Sequence, residues 1–262
     1  MKINLKQKIK YFLGNLLVQC KGVKKESNAC LLELKDQYRG QKCFVIGNGP
    51  SLRASDLEKL KNEVTFAANE IYKIFDQTNW RPTFYAIFDE SVGAREGVIE
   101  NASKMDCVKF FREEGYLVYR KFSGKNCYVN TWYSRKYLDN PQFSENIVEG
   151  LFSIATVTYS MIQIARWMGF DEIYLLGMDN RYAYSRLRDG TIIKNEGVAS
   201  YFSAVGETLP DPATAASTWE MDVAYEYADK YSREHGFRIY NATRGGFLEK
   251  FERVDFDKVT IM

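Results

Sequence analysis

Five predicted strands are each followed by asparagine, aspartate or a glycine turn, residue types that can hydrogen-bond a polar ligand. The residues that follow these strands are Gly47, Asn48, Gly49, Pro50 and Ser51; Asn69; Asp89; Gly177, Met178, Asp179 and Asn180; and Asn241. In open α/β sheets, ligands bind beyond the carboxyl ends of the strands, and these residues would meet at that edge. The pattern therefore predicts a nucleotide or sugar site there. Each residue taken alone is also an ordinary turn residue, which is the alternative interpretation.

The turn GNGPS at residues 47–51 has a specific chemical rationale. Gly47 and Gly49 would let the backbone approach a phosphate or ribose closely, and the N–H groups and following helix start favour an anion. Ser51 adds a hydroxyl donor. The turn matches neither the GxxxxGK[ST] nor the GxGxxG nucleotide loop. The alternative is a plain strand-to-helix turn in which Ser55 and Glu58 form a capping box.

The segment after Asp179 carries further polar chemistry. Arg181 could neutralise a phosphate, and a tyrosine hydroxyl, such as that of Tyr182 or Tyr184, could donate to a leaving-group oxygen. The alternative is an exposed polar loop with two packing aromatic rings.

His235, the only histidine, ends a predicted helix, where a cation interacts favourably with the helix dipole. The acidic DFD at residues 255–257 lies outside the strand-end pattern, and we predict no metal site.

The elements that position these residues alternate between strands and helices. Apolar runs predict strands at residues 43–46, 64–68, 84–88, 107–111, 172–177 and 237–241. Helical patterns cover residues 55–62, 95–104, 153–170 and 218–236. Such alternation is typical of βαβ units and a mainly parallel sheet. We therefore predict a single α/β, Rossmann-like domain with a mostly parallel twisted sheet over residues 41–262.

Two segments depart from this alternation. Residues 1–40 begin with a basic amphipathic helix over 1–25, followed by a polar linker over 26–40. The helix could lie on an anionic membrane surface or a partner, or it could pack on its own domain. Residues 182–217 carry glycine and proline with little periodicity. A segment of that length in a compact domain predicts an active-site lid or a mobile loop.

Composition excludes several classes of protein. The 262 residues are 45% hydrophobic, which is enough for a sizeable core, and no run of 18 apolar residues predicts a membrane span. The 36 basic and 34 acidic residues give a net charge of +2, which argues against a dedicated nucleic-acid binder. Five widely spaced cysteines without a CxxC pair argue against a zinc site or a disulfide framework, and favour the cytoplasm.

Five segments resemble the bacterial domain labelled 6-hydroxymethylpterin diphosphokinase MptE-like. The segments are FVIGNGPSL, FAANEIY, RPTFYAIFDES, MGFDEIYLLGMDNRYAY and HGFRIYNATRGGFLEKFERVDF. That domain occurs in Maf flagellin glycosyltransferases. Its motif order is similar to that of bacterial lipooligosaccharide sialyltransferases, which use CMP-sialic acid. The resemblance covers about residues 40–260 and implies a Rossmann-like, GT-A-like fold.

The resemblance also implies roles for individual residues. The implied donor-binding residues are Asn48, Gly49, Ser51, Asn69, Asp89, and Thr156 or Thr158. Tyr182 matches one of two tyrosines that assist departure of the phosphate, and Arg181 occupies the position of the other. The sialyltransferases carry their basic histidine before the last long helix, whereas His235 lies beyond it. Glu207 or Asp211 in the lid is therefore our candidate for the general base.

The sequence thus predicts a cytoplasmic glycosyltransferase that uses a CMP-activated sugar, with a sialic-acid-like nonulosonate as the leading candidate. Peripheral binding to the inner face of the cell membrane is left open. The acceptor would be a surface glycan or its lipid-linked precursor, with no metal cofactor, no nucleic acid, and a homo-oligomer left open. One alternative is an ATP- and Mg²⁺-dependent pterin diphosphokinase, for which Asp89 and Asp179 could serve as metal ligands. The other is a non-catalytic nucleotide-binding subunit of a glycan-synthesis complex, motivated by the missing histidine.

Overall fold

The computed structural model describes residues 5–133, 136–202, 212 and 215–260. Its helices are α1 Leu5–Cys20, α2 Val23–Leu34, α3 Ala54–Lys59, α4 Glu90–Gly93, α5 Val98–Ser103, α6 Tyr116–Tyr119, α7 Lys136–Asp139, α8 Val157–Trp167, α9 Thr218–Glu234 and α10 Phe256–Val259. Its strands are β1 Lys42–Ile46, β2 Thr65–Ala68, β3 Phe84–Ile87, β4 Val108–Arg112, β5 Asn126–Val129, β6 Thr131–Trp132, β7 Leu151–Phe152, β8 Glu172–Leu176, β9 Tyr184–Arg186, β10 Ile192–Lys194, β11 Arg238–Asn241 and β12 Glu252–Arg253.

Eight strands form one sheet in the order β12-β11-β8-β1-β2-β3-β4-β5. All of its neighbouring strands pair in parallel. The chain moves outward from β1 to β5 on one side and then returns to build β8, β11 and β12 on the other. The predicted single α/β domain with a mostly parallel sheet is therefore confirmed.

Helices cover both faces of the sheet, which explains why the central strands are apolar runs rather than alternating patterns. One core cluster joins alternate strand residues such as Val45 and Phe66 to α8 and α9. The other joins Phe44 and Tyr85 to α3, α5 and α6. All six predicted strands and four predicted helices of the body are present, with ends shifted by a few residues.

Three sequence predictions are corrected by these elements. The polar linker over residues 26–40 was wrong in part, because α2 occupies most of it and buries Cys30 and Leu31. A disulfide joins Cys30 to Cys127, against the expectation drawn from cysteine spacing. The two cysteines are 97 residues apart, and only the packing of α2 on β5 brings them together. Residues 182–217 contain the antiparallel hairpin of β9 and β10, so part of the predicted lid is regular structure.

No helix among the described residues combines the length and the apolar character that crossing a bilayer requires.

His235 caps the C-terminus of α9, and Gly236 follows it in the left-handed region with φ of 72°. The imidazole stacks on Tyr231 with ring centroids 3.7 Å apart. We expect His235→Ala to cost about 0.3–1 kcal/mol of unfolding free energy and to leave ligand binding and turnover unchanged. Thermal unfolding and an activity assay test this, with the exposed Arg233→Ala as reference. A large loss of turnover in a folded His235→Ala protein would contradict it.

Candidate functional site

The polar residues predicted at the strand ends lie along the carboxyl edge of the sheet, at the ends of β8, β1, β2 and β3. The chain leaves β1 toward β2 on one side, and β8 pairs with its other side. This reversal of strand order is a topological switch point, where a crevice opens in α/β sheets. Gly47 follows β1 and Gly177 follows β8, so the two glycine turns meet at that point. The candidate site is built around their junction.

The glycines of the two turns interlock with each other. A methyl group at Gly47 would lie 2.4 Å from the Gly177 carbonyl oxygen, and one at Gly49 would lie 1.9 Å from Asp179 Oδ2. Gly177 itself has φ of 70°, which favours glycine. Hydrogen bonds from Gly47 N to Leu176 O, 2.7 Å, and from Gly49 N to Gly177 O, 2.9 Å, close the contact. The glycines therefore serve the packing of β1 against β8, which replaces our expectation that they clear space for a phosphate.

The expected anion cradle in this turn is also corrected. The amides of Gly47 and Gly49 donate to backbone carbonyls, and the Ser51 amide donates to Asp179 Oδ2 at 3.3 Å. Pro50 has no N–H. The following helix α3 begins at Ala54, is only six residues long, and has no side-chain cap, so the Ser55–Glu58 capping box is absent. Three of the four backbone N–H groups of the turn are therefore already bonded within the protein.

Asp179 links the two turns across the switch point. Its Oδ2 accepts the Ser51 hydroxyl at 2.7 Å, a contact between residues 128 positions apart in sequence. Burial raises the pKa of Asp179, and the hydrogen bonds from the Ser51 hydroxyl and amide counteract part of that rise. The carboxylate thus holds Ser51 and is itself half-buried, which makes it a fixed acceptor at the centre of the site.

Three asparagine side chains at this edge each bury an oxygen that has no hydrogen-bond partner among the described residues: Asn48, Asn69 and Asn180. Asn48 Nδ2 donates to Ala68 O at 3.0 Å, and Asn180 Nδ2 donates to Asp222 Oδ1 at 2.8 Å. Because carbonyl and carboxylate oxygens only accept, these contacts fix which amide atom is oxygen. A buried acceptor without a donor is costly, so these oxygens suit a ligand that carries hydroxyl or amino hydrogens.

The other predicted donor-binding residues have local structural roles as well. Asp89 caps α4, with Oδ1 accepting from Ser91 N at 2.8 Å. Thr156 caps α8 by accepting from Thr158 N at 3.2 Å, and its hydroxyl lies 3.3 Å from the Tyr225 hydroxyl. Thr158 is buried and donates to Met178 Sδ at 3.5 Å. Of the two threonines, Thr156 is the more accessible to a ligand.

Arg181 and Tyr182 diverge after the second turn. The Arg181 guanidinium is exposed and lies 4.6 Å from the centre of the Phe247 ring. Tyr182 turns inward, and its hydroxyl lies 3.7 Å from Met221 Sδ on α9. Burial raises the pKa of Tyr182, so its hydroxyl keeps its proton across the physiological range. Because a thioether is a weak acceptor, that proton remains available to a stronger acceptor.

Part of the segment between β10 and α9 lies over the first turn. The Phe202 amide donates to Asn48 O at 2.9 Å, and the Ala183 amide donates to Ser200 Oγ at 2.9 Å. The Tyr201 ring meets that of Tyr182 with centroids 6.3 Å apart. The candidate bases Glu207 and Asp211 lie outside the described residues.

Sequence reasoning missed the contribution of α9 and gave Asn241 the wrong role. Asp222 and Tyr225 stand three residues apart on α9, which puts them on one helix face, toward Asn180 and Thr156. This three-residue spacing is visible in the sequence and could have indicated that α9 contributes to the site. Asn241 is fully buried and bonded to Leu248 O and Thr243 N, so it fixes its own turn.

The carboxylates considered as metal ligands are dispersed. Asp89 follows β3 and Asp179 follows β8, three strands apart in the sheet. At about 4.8 Å per strand this separates the two positions by roughly 14 Å, too far for one ion to bridge. Asp257 of the DFD sequence is paired with Lys59 and Arg244. Within the described ranges, no three His, Cys, Asp or Glu side chains are grouped to hold a metal ion.

Comparisons with known proteins agree with this architecture. Residues 15–185 match the family model described as 6-hydroxymethylpterin diphosphokinase MptE-like. The structure of the MAf glycosyltransferase from Magnetospirillum magneticum AMB-1 aligns with 89% of this chain at 16% identity and a TM-score of 0.52. The alignment covers 38% of that protein, so the present chain spans well under half of its length. The two proteins share a fold over the aligned region.

The sialyltransferase CstII from Campylobacter jejuni gives weaker alignments. Its complex with cytidine-5'-monophosphate aligns at 17% identity, over 82% of this chain and 85% of that one, with a TM-score of 0.42. Its complex with CMP-3FNeuAc aligns at 19% identity, over 81% and 85%, with a TM-score of 0.44. The comparison with curated proteins gave no match.

Proposed function

We propose that this chain, which belongs to the 6-hydroxymethylpterin diphosphokinase MptE-like family, transfers a sugar from a CMP-activated donor to a surface-glycan or lipid-linked acceptor. The observation that carries the proposal is the row of buried, unpartnered asparagine oxygens beside the switch point. Ribose hydroxyls and the cytosine amino group carry the hydrogens that such oxygens accept. The fold shared with the MAf glycosyltransferase supports the reaction class.

The shape of the site also supports an elongated ligand. Asp179, Asn48, Asn69 and Asp89 follow four adjacent strands in sheet order. Their positions span three strand spacings, roughly 14 Å in all. A nucleotide joined to a sugar is long enough to contact most of such a row. The nucleoside is proposed to lie along Asn48 and Asn69, and the sugar to point toward Tyr182 and α9.

In the proposed reaction, the bond between the anomeric carbon and the phosphate oxygen breaks while the acceptor oxygen bonds to that carbon. CMP leaves as a phosphate monoester, whose new charge hydrogen-bond donors can stabilise without a divalent ion. Tyr182 is proposed to donate to the departing oxygen, and Arg181 to attract the phosphate through its charge. The acceptor proton passes to a carboxylate, for which Glu207 and Asp211 remain our candidates.

The family description favours a second candidate, a pterin diphosphokinase. That reaction uses ATP with Mg²⁺, and Mg²⁺ is usually held by carboxylates together with the phosphates. Asp89 and Asp179 stand three strands apart, which disfavours their sharing one ion. A non-catalytic nucleotide-binding subunit would bind CMP but transfer nothing.

We expect CMP or CDP to raise the melting temperature without added metal. Saturation to about 100 times the dissociation constant adds roughly 2.7 kcal/mol of stability, a shift of about 5–10 °C at this size. Thermal-shift measurements with CMP, CDP, UDP, GDP and ATP, each with and without Mg²⁺, test this. A shift seen only with ATP and Mg²⁺ would favour the kinase.

The matched control for this experiment is a pair of asparagine variants. Asn48→Ala removes an unpartnered buried oxygen at the site and should abolish most of the CMP shift. Asn126 has the same pattern on edge strand β5, with Nδ2 bonded to Phe122 O at 2.7 Å and Oδ1 without a partner. Asn126→Ala should therefore cost similar stability while keeping the CMP shift. Equal CMP shifts in the two variants would show that Asn48 does not contribute to CMP binding.

A further inference from the structure

Helix α1 carries a continuous stripe of large apolar side chains that the protein leaves exposed. The exposed fractions are 72% for Leu5, 52% for Ile9, 67% for Phe12, 43% for Leu13 and 46% for Leu16. At about 100° per residue, these five positions fall within an arc of roughly 100° on the helix. Exposed apolar patches of this kind mark interaction surfaces.

The opposite face of α1 is fixed to the body of the protein. Lys10 Nζ lies 2.9 Å from Glu90 Oε2, and Arg112 donates to the Tyr11 hydroxyl at 2.9 Å. Val18 is fully buried, and a methyl group at Gly14 would lie 2.8 Å from Glu114 O. The helix is therefore anchored by one face while its apolar stripe points away from the core.

The charged residues of the segment that contains the stripe are all basic. Residues 1–25 contain seven lysines and no aspartate or glutamate, although the whole chain has a net charge of only +2. By helical geometry Lys6 and Lys8 flank the stripe on its two sides. Long basic side chains bordering an apolar face extend their charges to the level of lipid phosphates while their stems stay apolar.

We propose that α1 docks this protein on an anionic phospholipid bilayer, with the helix lying in the plane of the interface. The apolar stripe would enter the boundary between headgroups and acyl chains, and Lys6 and Lys8 on its two sides would face anionic headgroups. The 16 described residues of α1 are fewer than a bilayer-spanning helix needs. The absence of acidic side chains from residues 1–25 favours an anionic lipid surface over a protein partner with mixed charges.

The docking would bring the membrane close to the candidate site. Lys10 of α1 pairs with Glu90, which directly follows Asp89 at the end of β3. A bilayer against the stripe would therefore border the strand-end edge on its β3 side. Under the proposed function, this position suits an acceptor carried on a lipid, but membrane docking itself does not depend on the reaction.

Vesicle flotation with the full chain tests the proposal. We expect binding to vesicles of 70% phosphatidylcholine and 30% phosphatidylglycerol (roughly the charge of an anionic leaflet), little binding to pure phosphatidylcholine, and weaker binding at high salt. Ile9→Ser with Phe12→Ser should weaken binding about 100-fold. Lys6→Ala with Lys8→Ala should weaken it about 30-fold, on anionic vesicles only.

The matched control is Leu187→Ser with Ile193→Ser, which removes two apolar side chains exposed at 42% and 38% near the β9–β10 hairpin. This double variant should bind vesicles like the original chain. Substitution is a more specific test of the stripe than deletion of residues 1–25, because deletion would also remove the buried Val18. Retained thermal stability and CMP shift in the stripe variants would show that their fold and nucleotide site are intact.

Three results would overturn the proposal. The first is an absence of binding to anionic vesicles by the full chain, and the second is equal binding by the Ile9 and Phe12 double variant. The third is a full chain that forms a dimer and fails to bind vesicles, while the Ile9 and Phe12 double variant is a monomer in sedimentation equilibrium. A second copy of the chain would then cover the stripe. None of these results bears on the CMP shift, so membrane docking and the proposed reaction can fail separately.

Discussion

Replacing Tyr182 by phenylalanine is expected to lower sugar-transfer turnover about 100-fold or more while leaving CMP affinity nearly unchanged. Negative charge grows on the departing phosphate oxygen mainly in the transition state, so a donor aimed there affects turnover rather than binding. Burial raises the pKa of Tyr182 and keeps its hydroxyl protonated, and the hydrogen-bond partner of that hydroxyl among the described residues is the weak acceptor Met221 Sδ. The variant removes one oxygen and no apolar volume. Steady-state kinetics with a CMP-sugar donor, together with CMP thermal shifts, give both quantities.

Tyr184→Phe is the matched control for this prediction. Tyr184 is the first residue of β9, two positions along the chain from Tyr182 and half-buried. Its variant should retain turnover. Full activity in Tyr182→Phe would contradict the assignment. If Tyr201→Phe or Tyr225→Phe then lost turnover instead, the leaving group would be assisted from the segment over the site or from α9.

Gly47→Ala is expected to destabilise the protein by about 1–3 kcal/mol and to abolish the CMP shift. The new methyl group would lie 2.4 Å from Gly177 O and 2.7 Å from Met178 Sδ. The first of these atoms belongs to the backbone, so the end of β8 must move to relieve the contact. That movement would separate Ser51 from Asp179 at the centre of the site. Thermal unfolding with and without CMP measures both effects.

Gly190→Ala separates this clash from ordinary backbone strain. Gly190 has φ of 92° in the hairpin loop, and a methyl group there meets nothing within 4 Å. Its variant should lose stability through the backbone alone and keep the CMP shift. A Gly47→Ala protein that matches the original chain in stability and CMP shift would show that the two turns do not interlock as described.

The strands of this fold were predictable because helices bury both faces of the sheet. Cys43 to Ile46 of β1 are all buried, and a glycine turn follows them. The apolar run and the turn residues therefore predicted the same strand end. The polar residues at strand ends were visible for the same reason. Helix α2 was missed since its composition is polar, although Ser27, Cys30 and Leu31 have the spacing of one helix face.

The contacts within the site were not predictable from the amino-acid sequence alone. Sequence order says nothing about β8 pairing with β1, so the Ser51–Asp179 contact could not be foreseen. The role of the glycines depended on that pairing as well. With β8 beside β1, the space left by the missing side chains of Gly47 and Gly49 is filled by protein atoms rather than by a ligand.

The pairing of β1 with β8 has a consequence for how the chain folds during synthesis. Strand β2 can join β1 early, but 130 residues separate Ile46 from its β8 partner Leu176. Translation at about 5–20 residues per second delays that partner by roughly 6–26 s. Until then β1 offers an unpaired edge of N–H and C=O groups, a template for aggregation or a target for chaperones. The nascent chain therefore acquires the crevice between β1 and β8 only after β8 has emerged.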